Sequence, residues 1–245
     1  MALDAGSLEQ SARAERILDA AGELLLWIGY RRLTVEDIAR RADVGKGTVY
    51  LHWKSKQELL AALMLREDAG VMRDVVAGMR RAEVETQLHR VMRALFMAIM
   101  TRPLARALYT RDIETLGKLV AKNVAGIRAR HEISMVCYDA YLDLLAEHGL
   151  LSTDIDAKVR DYAIYAATSG FYLGDQFAGE ELQLPIEVQA DLLAEVVRRA
   201  FEPPGDPDPL ALSAVAPRAI ELFDEMRAQC EPEAWKSTKF MREGS

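Results

Sequence analysis

Residues 34–60 read TVEDIARRADVGKGTVYLHWKSKQELL, and their spacing decides the fold. Thr34 can cap a helix while Asp37 reaches back to its amide, a short capping box that opens a helix lasting to about Ala42. After Asp43-Val44-Gly45 a very short helix fits Lys46 to Leu51. His52-Trp53-Lys54 follow, and then Ser55-Lys56-Gln57-Glu58, a second capping box that opens a longer helix. Two short helices joined by a turn containing Gly, the second opening on Lys-Gly-Thr, form the pattern of a DNA-binding helix-turn-helix. Ala39 and Val44 are small where the helices must cross. Gly45 and Gly47 clear side chains from the start of the second helix, so that its amides can approach a phosphate. Lys46 supplies mobile charge, Thr48 a hydroxyl and a methyl for a base edge, and Tyr50 a phenol for a backbone oxygen. His52 and Lys56 can donate to phosphates and fix the register.

Upstream, Ile17, Ala21, Leu24 and Ile28 recur at helical spacing in a segment from about Ser11 to Gly29. Downstream the chain stays helical. Segments near 84–101 and 112–148 are rich in Ala, Leu, Met, Arg and Glu, with Pro103 suited to the first turn of a short helix between them. Further helices are expected over 155–177 and 185–201. Residues 202–209, EPPGDPDP, read as a linker before a last amphipathic pattern at Arg218 to Gln229, with a frayed tail from Glu231. No segment alternates like a strand. The expected architecture is all-α: a three-helix head at residues 1–56 and a larger helical body at 57–245.

Composition agrees with a globular chain: 245 residues, 50% hydrophobic and 28% charged. No apolar run approaches the roughly 20 residues that span a bilayer, and the acidic start is unlike a signal peptide, so a cytoplasmic chain without membrane attachment is expected. The net charge of −7 conceals an asymmetry. Residues 1–56 hold nine basic against eight acidic side chains, and within 31–56 the count is seven against three. The positive charge is local, at the helix-turn-helix. For Arg31, Arg32, Arg40 and Arg41 a solvated face is as good a reading as a phosphate contact.

The run Thr34 to Leu60 resembles the DNA-binding segment of the TetR family of bacterial transcriptional regulators, and Ile17 to Tyr30 resembles that family's first helix with its Gly-aromatic ending. The resemblance implies a homodimer with a helix-turn-helix head and a variable helical ligand domain, usually a repressor that leaves its operator when a small molecule binds. It assigns DNA contacts to Thr34, Lys46, Gly47, Thr48, Tyr50, His52 and Lys56. Trp27 and Ile28 stand where the family is often polar, which predicts that the body covers this side of the head. Trp53 replaces the more usual phenylalanine.

Other candidate chemistry is weak. Cys137 and Cys230 read as free thiols, and Cys137 has no nucleophile signature. His131-Glu132 lacks the second histidine of a zinc helix, Asp139 and Asp143 fit a solvated face, and there is no nucleotide glycine motif. Neither a metal, a cofactor nor an enzymatic activity is expected. The rival reading is a helical small-molecule binding protein or enzyme whose N-terminus merely has helix-turn-helix form.

Two further expectations concern the body. The helices at 155–177 and 185–201 should pair across a two-fold axis, because Ala166, Ala167, Ser169, Gly170 and Gly174 give a small surface that Phe171, Leu192, Val196 and Val197 can fill. The effector should be a mainly apolar, aromatic or polycyclic molecule. Met and Tyr are abundant between 84 and 177, and Phe96, Met100, Tyr109, Met135, Tyr138 and Tyr165 are taken as its contacts. The partners implied are thus palindromic double-stranded operator DNA, that effector and a second copy of the chain. The output is read as repression, although its sign depends on where the operator lies.

Overall fold

The computed structural model describes residues 5–110, 112–116 and 125–230, and every regular element among them is helical. The tail expected from Glu231 and part of the helix expected over 112–148 lie outside the described residues. Helix α1 spans Ala5–Arg32, with Gly29 at φ 71° breaking its helical path. That left-handed conformation suits glycine and ends the first helix where the sequence places its stop. Helices α2 (Val35–Arg41) and α3 (Lys46–His52) follow, and α4 (Lys56–Arg81) leaves the head. Ser55 caps α4 by accepting from the Glu58 amide at 3.2 Å, while the Glu58 carboxylate accepts from the Lys54 amide at 2.8 Å.

The body comprises a 3₁₀ turn at Glu83–Thr86, α5 (Leu88–Met100), α6 (Pro103–Tyr109), α7 (Ile113–Leu116), α8 (Ala125–Glu147), α9 (Ala157–Leu173), α10 (Ile186–Phe201) and α11 (Pro209–Ala228). Helix α11 begins nine residues before the last amphipathic pattern expected at Arg218. Asp208 caps it, its carboxylate accepting from the Leu210 amide at 2.9 Å, and Pro209 occupies the first turn, where no amide is needed. Residues 202–208 thus form the expected linker, and Pro217 sits inside the helix.

Two apolar cores divide the chain. The head core joins Ile17, Leu25, Ile38, Val49, Leu59, Leu60, Leu63 and Met64 with Leu104, Ala107 and Leu116. The body core is built around Phe96, Tyr141, Ile164, Leu193, Val197 and Phe223. Helix α4 contributes to both cores, so the expected boundary at residue 56 falls at the start of a helix that continues through the head core. Helix α6 straddles them as well: Leu104 and Ala107 belong to the head core, and Ala105 to the body core.

Trp27 departs from expectation. It is 80% exposed, and with Leu24, Ile28, Arg40 and Arg41 it lines an open groove on the head. The body meets α1 through Leu104, Ala107 and Leu116 instead. A Cβ on Gly22 would lie 3.0 Å from Leu104 Cδ1, so the Leu104 side chain packs tightly on α1 there.

Candidate nucleic-acid interface and aromatic core

The geometry of α2 and α3 follows from local chemistry. The Thr34 hydroxyl accepts from the Asp37 amide at 3.1 Å and donates to Asp37 Oδ2 at 2.6 Å. The turn is closed by the Val44 amide on Ala39 O at 3.0 Å, with Asp43 in the left-handed region at φ 54°. Gly45 then opens α3, and Val49 drives into the head core with 1% exposure. This single keel turns the rest of α3 outward: Lys46, Gly47, Tyr50 and Leu51 are exposed, and Thr48 and His52 are half-buried at the edge. A Cβ at Gly47 would meet nothing within 4 Å. Nothing in the chain's own packing therefore calls for glycine there, although glycine weakens a helix.

The cations of this face are already engaged. Lys46 forms an ion pair with Glu36 across the turn, and its ammonium lies 5.7 Å from the centre of the Tyr50 ring. Their hydrogen bond holds the Glu36 carboxyl below its ordinary range and raises the Lys46 ammonium. Lys56 is placed differently from the other expected contacts. Its ammonium donates to Tyr30 O at 2.8 Å and Leu33 O at 2.7 Å and sits 4.1 Å from the Tyr30 ring centre. It ties α4 to the end of α1, and burial lowers its pKa. The Thr34 hydroxyl is likewise occupied as the cap of α2.

The body carries an aromatic cluster. Phe96 stacks on Tyr172 with ring centres 5.2 Å apart, and Tyr109 lies 5.5 Å from the same ring. The Tyr138 hydroxyl reaches Met92 Sδ at 3.8 Å, and Tyr138 lies 6.2 Å from Tyr141. Tyr141 is fully buried and donates to Thr86 O at 2.8 Å. Burial raises the pKa of all three tyrosines 138, 141 and 172. Of the expected effector contacts, Phe96, Met100, Tyr109 and Tyr138 thus lie in or against the body core. Met135 and Tyr165 do not join them: both are exposed, Tyr165 by 53%.

The outer faces of α9 and α10 are apolar and open. Val159, Tyr162, Tyr165, Val188, Leu192 and Val196 are all exposed. Ala166 and Gly170 lie among them, with nothing within 4 Å of a Cβ at Gly170. A Cβ at Gly174, in the 3₁₀ turn that follows α9, likewise meets nothing within 4 Å. Phe171 packs against the body core and Val197 lies within it, so these two do not belong to that outer face.

The model of the bacterial regulatory proteins of the tetR family matches residues 17–63. This segment contains α2, α3 and the whole outward face just described. Residues 17–63 are thus a TetR-family DNA-binding segment. The chain is a DNA-binding transcriptional regulator. An uncharacterized HTH-type transcriptional regulator of Mycobacterium bovis is 29% identical over 164 residues, covering 62% of this chain and 87% of the relative. The HTH-type transcriptional repressor KstR of Mycobacterium tuberculosis is 40% identical over 77 residues, 30% of this chain and 35% of that one. Among solved structures, the complex of SmeT, a Stenotrophomonas maltophilia efflux-pump repressor, with triclosan has a TM-score of 0.61 at 22% identity. It covers 80% of this chain and 95% of that one, a likeness of fold. No described helix is long and apolar enough to cross a membrane.

Two residues of the chain escape the sequence reading. Tyr172, the hub of the aromatic cluster, lies two turns beyond Tyr165 on nearly the same side of α9. Periodicity treats the two alike, and only the packing of Phe96 and Tyr109 sets them apart. Leu51 is apolar yet 82% exposed on α3, and this exposure marks it as part of the outward face.

Proposed function

We propose that the protein is a dimeric repressor that binds a palindromic operator and is released by a mainly apolar, aromatic small molecule, with no enzymatic activity of its own. The observation that carries this reading is the outward face of α3. There Lys46, Gly47 and Tyr50 serve no core, and glycine leaves room for a close approach of backbone to DNA. In this reading Lys46, Gly47, Thr48 and Tyr50 meet base edges and adjacent phosphates, with Thr34 and His52 on the backbone. Lys56 acts from behind by fixing α4 to the head, with its remaining donor available to a phosphate.

The outer faces of α9 and α10 pair with those of a second copy, Ala166, Gly170, Gly174, Leu192 and Val196 forming the seam. A cluster of exposed apolar side chains on adjacent helices is characteristic of an interface. Two heads about one helical turn or more apart then fit inverted half-sites. The effector would occupy the region of Phe96, Tyr109, Tyr138 and Tyr172, rings with polar tips that suit a bulky aromatic ligand. The triclosan complex of the similarly folded SmeT supports that class. Tyr109 and Leu104 share α6, so a ligand displacing Tyr109 pushes on α1 at Gly22. An effector releases DNA only by preferring a body conformation that spaces the heads differently.

Selection of duplexes from a random pool by the purified protein tests the reading, with and without triclosan as a probe. Enrichment of an inverted repeat, weakened about 5- to 150-fold by the ligand, is expected. No enrichment at low salt contradicts the DNA assignment, and a ligand that raises the melting temperature without changing operator affinity contradicts the release mechanism.

A further inference from the structure

The ion pair between Glu36 and Lys46 joins the first turn of α2 to the first residue of α3 across the helix-turn-helix. Its side chains remain about half exposed, at 56% and 50%. A pair so open to water adds little to stability. A carboxylate on a face that meets phosphates also repels them, so Glu36 lowers affinity for DNA of any sequence unless a base supplies it with a donor.

The major groove offers such a donor in the cytosine N4 amino group. In the same base pair, guanine N7 and O6 are adjacent acceptors suited to an ammonium. An A·T pair arranges its groups differently, with the adenine N6 donor between the acceptors adenine N7 and thymine O4. A carboxylate and an ammonium held side by side therefore match the C·G order of two adjacent acceptors and then a donor. Tyr50, against the Lys46 ammonium, limits where that ammonium can swing.

We propose that Glu36 and Lys46 act together to read one C·G base pair in each half-site, the Glu36 carboxylate accepting from cytosine N4 and Lys46 donating to guanine O6 and N7. The proposal rests on the α2–α3 face being the DNA surface. It adds Glu36 as a specificity-determining residue that both rejects other sequences and accepts the right one. Their ion pair orders both groups before DNA arrives.

The test uses the full chain and the duplex that it selects. Replacing one C·G pair of each half-site in turn locates the position at which the wild type loses affinity, expected at about 5- to 150-fold. At that position Glu36→Ala should discriminate by no more than a few-fold while binding unrelated duplexes more tightly. Glu36→Gln should shift its preference toward A·T, since an amide pairs with adenine N6 and N7. Thermal melts of both variants, expected to be near wild type, establish that the head is folded. If the wild type selects an operator but both variants keep its preference at every position, Glu36 does not read a base and the inference is overturned alone. If the wild type selects no duplex, the underlying DNA reading fails with it.

Discussion

The α2–α3 face of the head and the α9–α10 face of the body are both exposed helical surfaces, yet their chemistry is opposite. The first carries Lys46, Gly47, Thr48 and Tyr50 beside paired charges, and the second carries Val159, Tyr162, Tyr165, Leu192 and Val196. Water tolerates the first surface without a partner. The second exposes apolar area that association removes from water. Exposure alone does not mark function: in the proposed reading the polar face meets a polyanion and the apolar face a second copy, and each can be altered without touching a core.

The largest effect is expected from Gly170→Arg. The position is open within the chain, so the subunit should fold while the proposed seam is blocked. Sedimentation should report monomers. Operator affinity should fall on the order of 10²- to 10⁴-fold, because binding by two linked heads is lost. A dimer that survives this change moves the interface elsewhere.

Next comes a pH test of the body. Tyr138, Tyr141 and Tyr172 have pKa values raised by burial. Their contribution to stability is fully present below the ordinary phenol pKa of about 10 and is lost as pH rises through the folded values. The loss is roughly 1.4 kcal/mol per pH unit for each phenol that ionises only on unfolding. Phenolate absorbance followed against pH should show these tyrosines titrating with unfolding. Their ionisation in the intact fold would show that the cluster is open to water.

Lys56→Ala separates a structural from a DNA-contacting role. Loss of two hydrogen bonds from a charged donor to Tyr30 O and Leu33 O should lower head stability by about 1–3 kcal/mol in denaturant titration. Unchanged stability with weaker DNA binding would return Lys56 to a pure phosphate contact.

The smallest stability change should come from Gly47→Ala, which gains up to about 1 kcal/mol from helix propensity in a position with free space. Its operator affinity should nevertheless fall, measured on the same preparation. A variant both more stable and equally tight would mean that DNA does not approach residue 47.

The head was the more legible region because its signals are short-range. Thr34 with Asp37, Ser55 with Glu58 and the glycines at 29 and 45 act within a few residues of the backbone that they shape. The body depends on contacts between distant segments. Phe96 meets Tyr172, and α6 lies between two cores; periodicity reveals an apolar side without saying what covers it. The same limit explains Tyr165, expected in the ligand region but exposed, and Trp27, apolar yet facing water. Glu36 shows a subtler limit, since its pairing with Lys46 crosses the turn and follows no helical spacing.

The central claim, that the α2–α3 face meets a DNA backbone, is tested most directly by the salt dependence of duplex affinity. Each phosphate neutralised should add about −0.9 to the slope of log affinity against log salt. A steep, linear fall is expected for the wild type. Binding indifferent to salt would contradict it.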